Sequence, residues 1–197
     1  YEDIARENYW QTVWRRFRHH RLACVSLAVL AVICTAAILA PVIAPYDPDA
    51  IAGPFGAPPG AGFLLGTDQI GRDMFSRLLY ATRISLLVGV LATAISTAIG
   101  VSLGLLGGYF GGWLDAVIMR IADMMVAFPG MVLALAVAGI LGPSITNAVI
   151  AVGLVSWPKY ARMARSLVLK IKYEDYVAAA KVTGSKTRHI LARYMIP

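Results

Sequence analysis

Residues 22–44 read LACVSLAVLAVICTAAILAPVIA, 23 positions without a charge. An α-helix needs about 20 apolar residues to cross a hydrocarbon core roughly 30 Å thick. Inside lipid the backbone must satisfy its own N–H and C=O groups, so a spanning run of this length is a helix. The run is too long for the apolar part of a cleaved leader, and no convincing small-residue cleavage pattern accompanies it. The whole 197-residue chain points the same way. It is 58% hydrophobic and 15% charged, where soluble domains carry about 25% charged residues. The fold class read from this is all-α, a polytopic helical membrane protein.

Working outward, residues 1–21 form a cytoplasmic amphipathic segment ending in WRRFRHHR, with Trp10, Trp14 and Phe17 at helical spacing among arginines. This predicts a short helix lying on the membrane surface. Residues 45–83 open with a Pro/Gly-rich loop. From about Asp68 to Arg83 they become an amphipathic helix, with Asp73 and Arg77 spaced as an i,i+4 pair. The second span is residues 84–106. It carries small residues at every fourth position, Ala92, Ser96, Gly100 and Gly104, continued by Gly108 in the turn that follows. That spacing lines one helix face and lets another helix approach closely. The third span is 116–141, with Pro129 inside it. The fourth is 144–166, where Lys159 can snorkel to the interface. Residues 173–197, YEDYVAAAKVTGSKTRHILARYMIP, close the chain as a basic helical segment.

Charge placement sets the topology. Five arginines precede the first span and nine Lys or Arg follow Trp157, whereas the loop between the first two spans has three, beside four aspartates. Positive-inside placement puts the N-terminus and the final segment in the cytoplasm. The net charge of +7 sits at segment ends, facing anionic headgroups. No basic patch with stacking aromatics stands apart from the spans, which excludes a nucleic-acid partner.

Enzymatic machinery is missing from the sequence. Cys24 and Cys34 lie on one predicted helix, about 15 Å apart and out of disulfide reach. His19, His20 and His189 have no second ligand at metal-binding spacing. GTDQIGRD, residues 66–73, imitates a phosphate loop, but Arg72 replaces its lysine and Asp73 its hydroxyl residue. It reads instead as a helix start capped by Thr67 or Asp68. Arg120 and Asp123, at i,i+3 spacing, form the one ionisable pair close to a span. They are expected either as an interfacial ion pair or as a gating pair. In the final segment, Ala178, Ala179 and Ala180 allow close approach and Gly184 ends the helix.

AAAKVTGSKTRHILARYMIP resembles the EAA loop of permease subunits of bacterial ABC importers. Ala179 and Ala180 take the pattern's two alanines, Gly184 its glycine and Pro197 its proline, whereas Ala178, Tyr194 and Ile196 depart from it. LGTDQIGRDMFSRLLYATRISL, GGYFGGWLDAVIMRIADMMVAFPGMVLALAV and WPKYARMARSLVL are similar to the C-type subunits of the dipeptide/oligopeptide/nickel permease family. The resemblance implies the type I transmembrane-domain fold of ABC importers, in a bacterial inner membrane. It implies a homologous second permease, two cytoplasmic ATPase subunits that hold ATP and Mg, and an extracytoplasmic substrate-binding protein. This chain itself would hold no cofactor and no metal. The segment around Tyr176, Ala178, Ala179, Ala180 and Gly184 would be the coupling helix that docks on an ATPase. Peptides are the first expected cargo, with glutathione or a nickel chelate behind. Family members continue past this proline with two further spans, so the chain is expected to be a partial subunit. Two other classes compete, a gradient-driven secondary transporter and a membrane anchor. Neither needs an ATPase.

Overall fold

The computed structural model describes residues 9–60, 62–185, 187–191 and 195, with the side chains of 9–12, 181 and 188 left aside. Arg6, Tyr194, Ile196 and Pro197, and the side chain of Trp10, lie outside this description. The described elements are all helical: α1 (Tyr9–His19), α2 (Arg21–Ile38), α3 (Ala40–Ile43), α4 (Met74–Phe110), α5 (Gly112–Ala127), α6 (Gly130–Leu141), α7 (Ile145–Ile171), α8 (Asp175–Val182) and α9 (Thr187–Ile190). The chain divides into two compact units, residues 1–86 and 87–197.

In the first unit, the amphipathic α1 stops where His20 leaves helical geometry at φ −91°, ψ 89°. Trp14 and Phe17 stack at 5.9 Å, while Arg15, Arg16 and Arg18 are exposed. The expected span 22–44 is two pieces. α2 ends at Leu39, whose N–H still reaches Thr35 O at 2.9 Å, and Pro41 opens the four-residue α3. Proline has no N–H to give Ala37, and its ring crowds that carbonyl, so the first helix cannot run through. α2 is apolar all round and almost wholly exposed, the pattern of a helix whose solvent is lipid.

The amphipathic helix expected from Asp68 starts later, at Met74, and is not a separate element. It is the first part of α4, a helix of 37 residues. At about 1.5 Å per residue α4 is roughly 55 Å long, well beyond the hydrocarbon thickness.

In the second unit the expected span 116–141 is an elbow, with α5 and α6 meeting at 96°. Pro129 supplies the reason. It disfavours helical geometry in the residue before it, and Phe128 is extended at φ −89°, ψ 143°. α7 runs from Ile145 to Ile171, five residues past its expected end at 166. It packs on both α5 and α6. Among the described residues two helices, α2 and α4, are long and apolar enough to cross a membrane; the elbow is a third if it counts as one span. The fourth expected span, α7, does not reach that measure, because Lys159, Arg162, Arg165 and Lys170 occupy its second half.

Candidate functional site

The site grows from the α4–α7 seam. Each small residue of the ladder faces α7 backbone or a short side chain. A Cβ added to Gly100 would lie 2.6 Å from Trp157 O, one at Gly104 2.4 Å from Ala161 O, and one at Gly108 2.9 Å from Val168 Cβ. The fit is reciprocal, since a Cβ on Gly153 would lie 2.7 Å from Ile95 Cγ2. Ala92 is buried, and buried Ser96 donates its hydroxyl to Ala92 O at 2.9 Å and Gly153 O at 3.0 Å. A polar side chain is thereby satisfied inside an apolar contact. Beside the seam, Ile118 and Ala122 of α5 pack on Trp157 and Ala161.

At the end of α7 the chain turns into α8, an eight-residue helix with two unlike faces. Val177 and Ala180, at i,i+3, are its buried residues. Val177 sits in a cluster with Val168, Ile190 and Met195, packed by Leu105 and Tyr109 of α4. Tyr176, Ala178 and Ala179 are exposed, as are Tyr173 just before the helix, at 78%, and Val182 at its end, at 88%. Gly184 stops the helix at φ +78°. The Ser185 N–H then reaches back to Ala180 O at 3.0 Å, a closing bond that requires a left-handed residue. The five residues expected in a docking segment are therefore split: Ala180 is turned inward, Tyr176, Ala178 and Ala179 outward, and Gly184 terminates.

The ion pairs differ from the sequence expectation. Asp123 does not pair with Arg120 on its own helix. It accepts a hydrogen bond from Arg162 Nη2 on α7 at 2.7 Å. A second pair was not expected at all. Arg165 Nε and Nη2 donate to the two oxygens of Asp115, each at 2.5 Å. A planar guanidinium fork matches a carboxylate in this way. Lys172 Nζ donates to Tyr109 O at 2.6 Å, on the carbonyl end of α4 where a cation is favourable. Partners 39 and 50 positions apart leave no trace in local spacing. The available signal was two aspartates on one apolar helix, α5, and two arginines on α7.

The loop of residues 45–73 is organised by Asp68. Its carboxylate accepts from the Ile70 and Arg72 N–H groups at 3.0 and 2.9 Å, from Arg72 Nε at 2.9 Å, and from Arg77. The expected Asp73–Arg77 pair is replaced by this one. Asp73, rather than Thr67 or Asp68, caps α4 by accepting from Ser76 N at 2.8 Å and Ser76 Oγ at 2.7 Å. Chiefly through the Arg72 N–H, Asp68 is held well below the usual carboxylate range.

Residues 8–59 match the N-terminal transmembrane domain of oligopeptide transport permease C, and residues 100–197 match the binding-protein-dependent transport system inner membrane component. The chain is 37% identical over 194 residues to the dipeptide transport system permease protein DppC of Alkalihalophilus pseudofirmus. It is 42% and 40% identical over 190 residues to the glutathione transport system permease protein GsiD of Shigella flexneri and of Escherichia coli. These alignments cover 95% of this chain and 62% or 63% of the relatives' lengths.

Proposed function

The chain belongs to the inner membrane components of binding-protein-dependent transport systems, and from that premise we propose that it serves as a permease subunit of an ATP-driven importer of small peptides. The observation that carries the reading is the split of α8. One face is seated on α4 and α7, and the other, with Tyr173, Ala179 and Val182, is exposed. In this reading its partner is a cytoplasmic ATPase, one of two, and a homologous permease completes the pathway. ATP and Mg bind the ATPases, and an external binding protein delivers cargo. Closure of the ATPases on ATP displaces α8. Because Val177 and Ala180 are buried beneath it, α4 and α7 follow. The two states of the pathway are then stabilised differently by the nucleotide state of the partners.

Two cargoes are favoured by the relatives, a dipeptide and glutathione, itself a small peptide. The test is purification of the tagged chain from its native membrane, followed by uptake of labelled dipeptide and glutathione into vesicles. Co-purified ATPases with binding-protein-stimulated hydrolysis support the reading. A chain that purifies without an ATPase overturns it, in favour of a gradient-driven carrier or an anchor. Competition between the two labelled cargoes assigns the substrate.

A further inference from the structure

We propose that Asp115 and Arg165 are positioning residues, a joint that fixes the register between α7 and α5 and so carries movement of α8 into the α5–α6 elbow. This rests on the permease reading above. α8 begins four residues after α7 ends, and Val177 of α8 shares a buried cluster with Val168 of α7. α8 and the last turn of α7 therefore travel together. How α5 follows is a separate matter. Its covalent link to α4 is Gly111–Gly112, with φ +67° and +60° and no atom within 4 Å of an added Cβ at either glycine. Beyond that link, α5 meets α4 through an apolar contact, Ile99 and Leu103 packing against the cluster of Ile118 and Ala122.

Apart from its two ion pairs, Asp115–Arg165 and Asp123–Arg162, the contact between α5 and α7 is apolar, with Ile118 and Ala122 on Trp157 and Ala161. Apolar burial is non-directional, so it holds surfaces together without fixing their sliding register. The two-pronged bond of Arg165 to Asp115 does fix it. The second pair cannot replace it. The side chain of Asp123 is 60% exposed and that of Arg162 44%, against 16% and 34% for Asp115 and Arg165, and exposed pairs contribute little. Asp115 also stands in the first turn of α5, where the helix dipole favours an anion. Gly107 of α4 leaves room for it: a Cβ there would lie 3.1 Å from Asp115 Oδ1.

The experiment measures cargo moved per ATP hydrolysed by the complete complex in proteoliposomes, alongside ATPase subunits retained per permease. Asp115→Asn and Arg165→Gln should keep ATPase recruitment and hydrolysis while cargo per ATP falls roughly tenfold, the scale of a typical coupling free energy. The double variant should be no worse than either single one, and Asp115→Glu should recover part of the loss. Asp123→Asn should leave the ratio unchanged. Should the neutral variants fail to assemble, Arg165→Lys keeps the charge without the fork and should still lower the ratio. An unchanged ratio in an assembled Arg165→Gln or Arg165→Lys complex overturns the joint. So does hydrolysis that falls in step with transport, the mark of a merely structural role. A wild-type chain that recruits no ATPase overturns the permease reading itself, an outcome the variants do not produce.

Discussion

The α4–α7 seam and the loop of residues 45–73 both depend on glycine, for different reasons. Along the seam Gly100, Gly104 and Gly108 have ordinary helical geometry, and what they supply is missing volume. In the loop Gly66 and Gly71 have φ of +77° and +85°, so they supply a backbone shape that other residues resist. The seam is held by shape, with one satisfied hydroxyl inside it. The loop is held by a carboxylate that gathers four donors. Shape is insensitive to pH and salt, whereas a carboxylate answers to both. The two regions should therefore fail under different conditions.

The largest effect should come from Gly104→Leu. Its Cβ would meet backbone at Ala161, which cannot swing aside as a side chain would, so the cost should exceed the about 1–3 kcal/mol of ordinary overpacking. Thermal unfolding in detergent should show a clear fall in Tm. Gly89→Ala on the same helix meets nothing within 4 Å and should gain up to about 1 kcal/mol of helix propensity. Equal effects of the two would break the claim that volume is what matters in the seam.

Next, Gly71→Ala should loosen the loop twice over, through its positive φ and through a Cβ 2.4 Å from Gly53 O. Left-handed geometry alone costs a residue about 1–2 kcal/mol. Limited proteolysis should cut the loop faster while Tm of the helical part stays put.

Asp68→Asn should mimic this more gently. The sign of its pH dependence follows from a native pKa below the unfolded one. The contribution of Asp68 is fully present above the unfolded value, about 3.9, and is lost as pH falls through the native value. Wild-type loop cleavage should thus stay slow at mildly acid pH and rise only in strong acid, with the asparagine variant flat across that range. A wild-type rise near neutrality would contradict the Asp68 assignment.

The smallest effect belongs to Arg120→Gln. Arg120 is exposed and Asp123 is engaged by Arg162, so the change should stay within about 0.5 kcal/mol. A larger loss would restore the pairing expected from spacing.

What could be read from the sequence was whatever repeats or accumulates along one segment. Apolar runs gave the all-helical membrane class, and the four-residue ladder marked one face of α4. Its partner on α7 could not be read, because nothing in positions 92–108 says which helix will supply Ala161. The breaks at Leu39 and Phe128 were concealed for another reason. Hydropathy is blind to the missing N–H of Pro41 and Pro129, so each run reads as one span although its hydrogen-bond ladder is interrupted. The ion pairs were misread because i,i+3 and i,i+4 spacing is the visible geometry of one helix. Asp123 instead takes a donor from another helix, Arg162, and Arg77 reaches across a turn to Asp68 rather than to Asp73.

The elbow bears on how the chain is made. α6 is about 18 Å long at its 12 residues, too short to cross a bilayer, and has no buried residue of its own. Its packing neighbour, α7, follows it in the chain. As residues emerge from the ribosome, α6 must wait in the membrane until α7 arrives to support it. The elbow is therefore a late step of biogenesis, and an interruption of synthesis between Leu141 and Trp157 would leave a segment that an insertion machinery must hold.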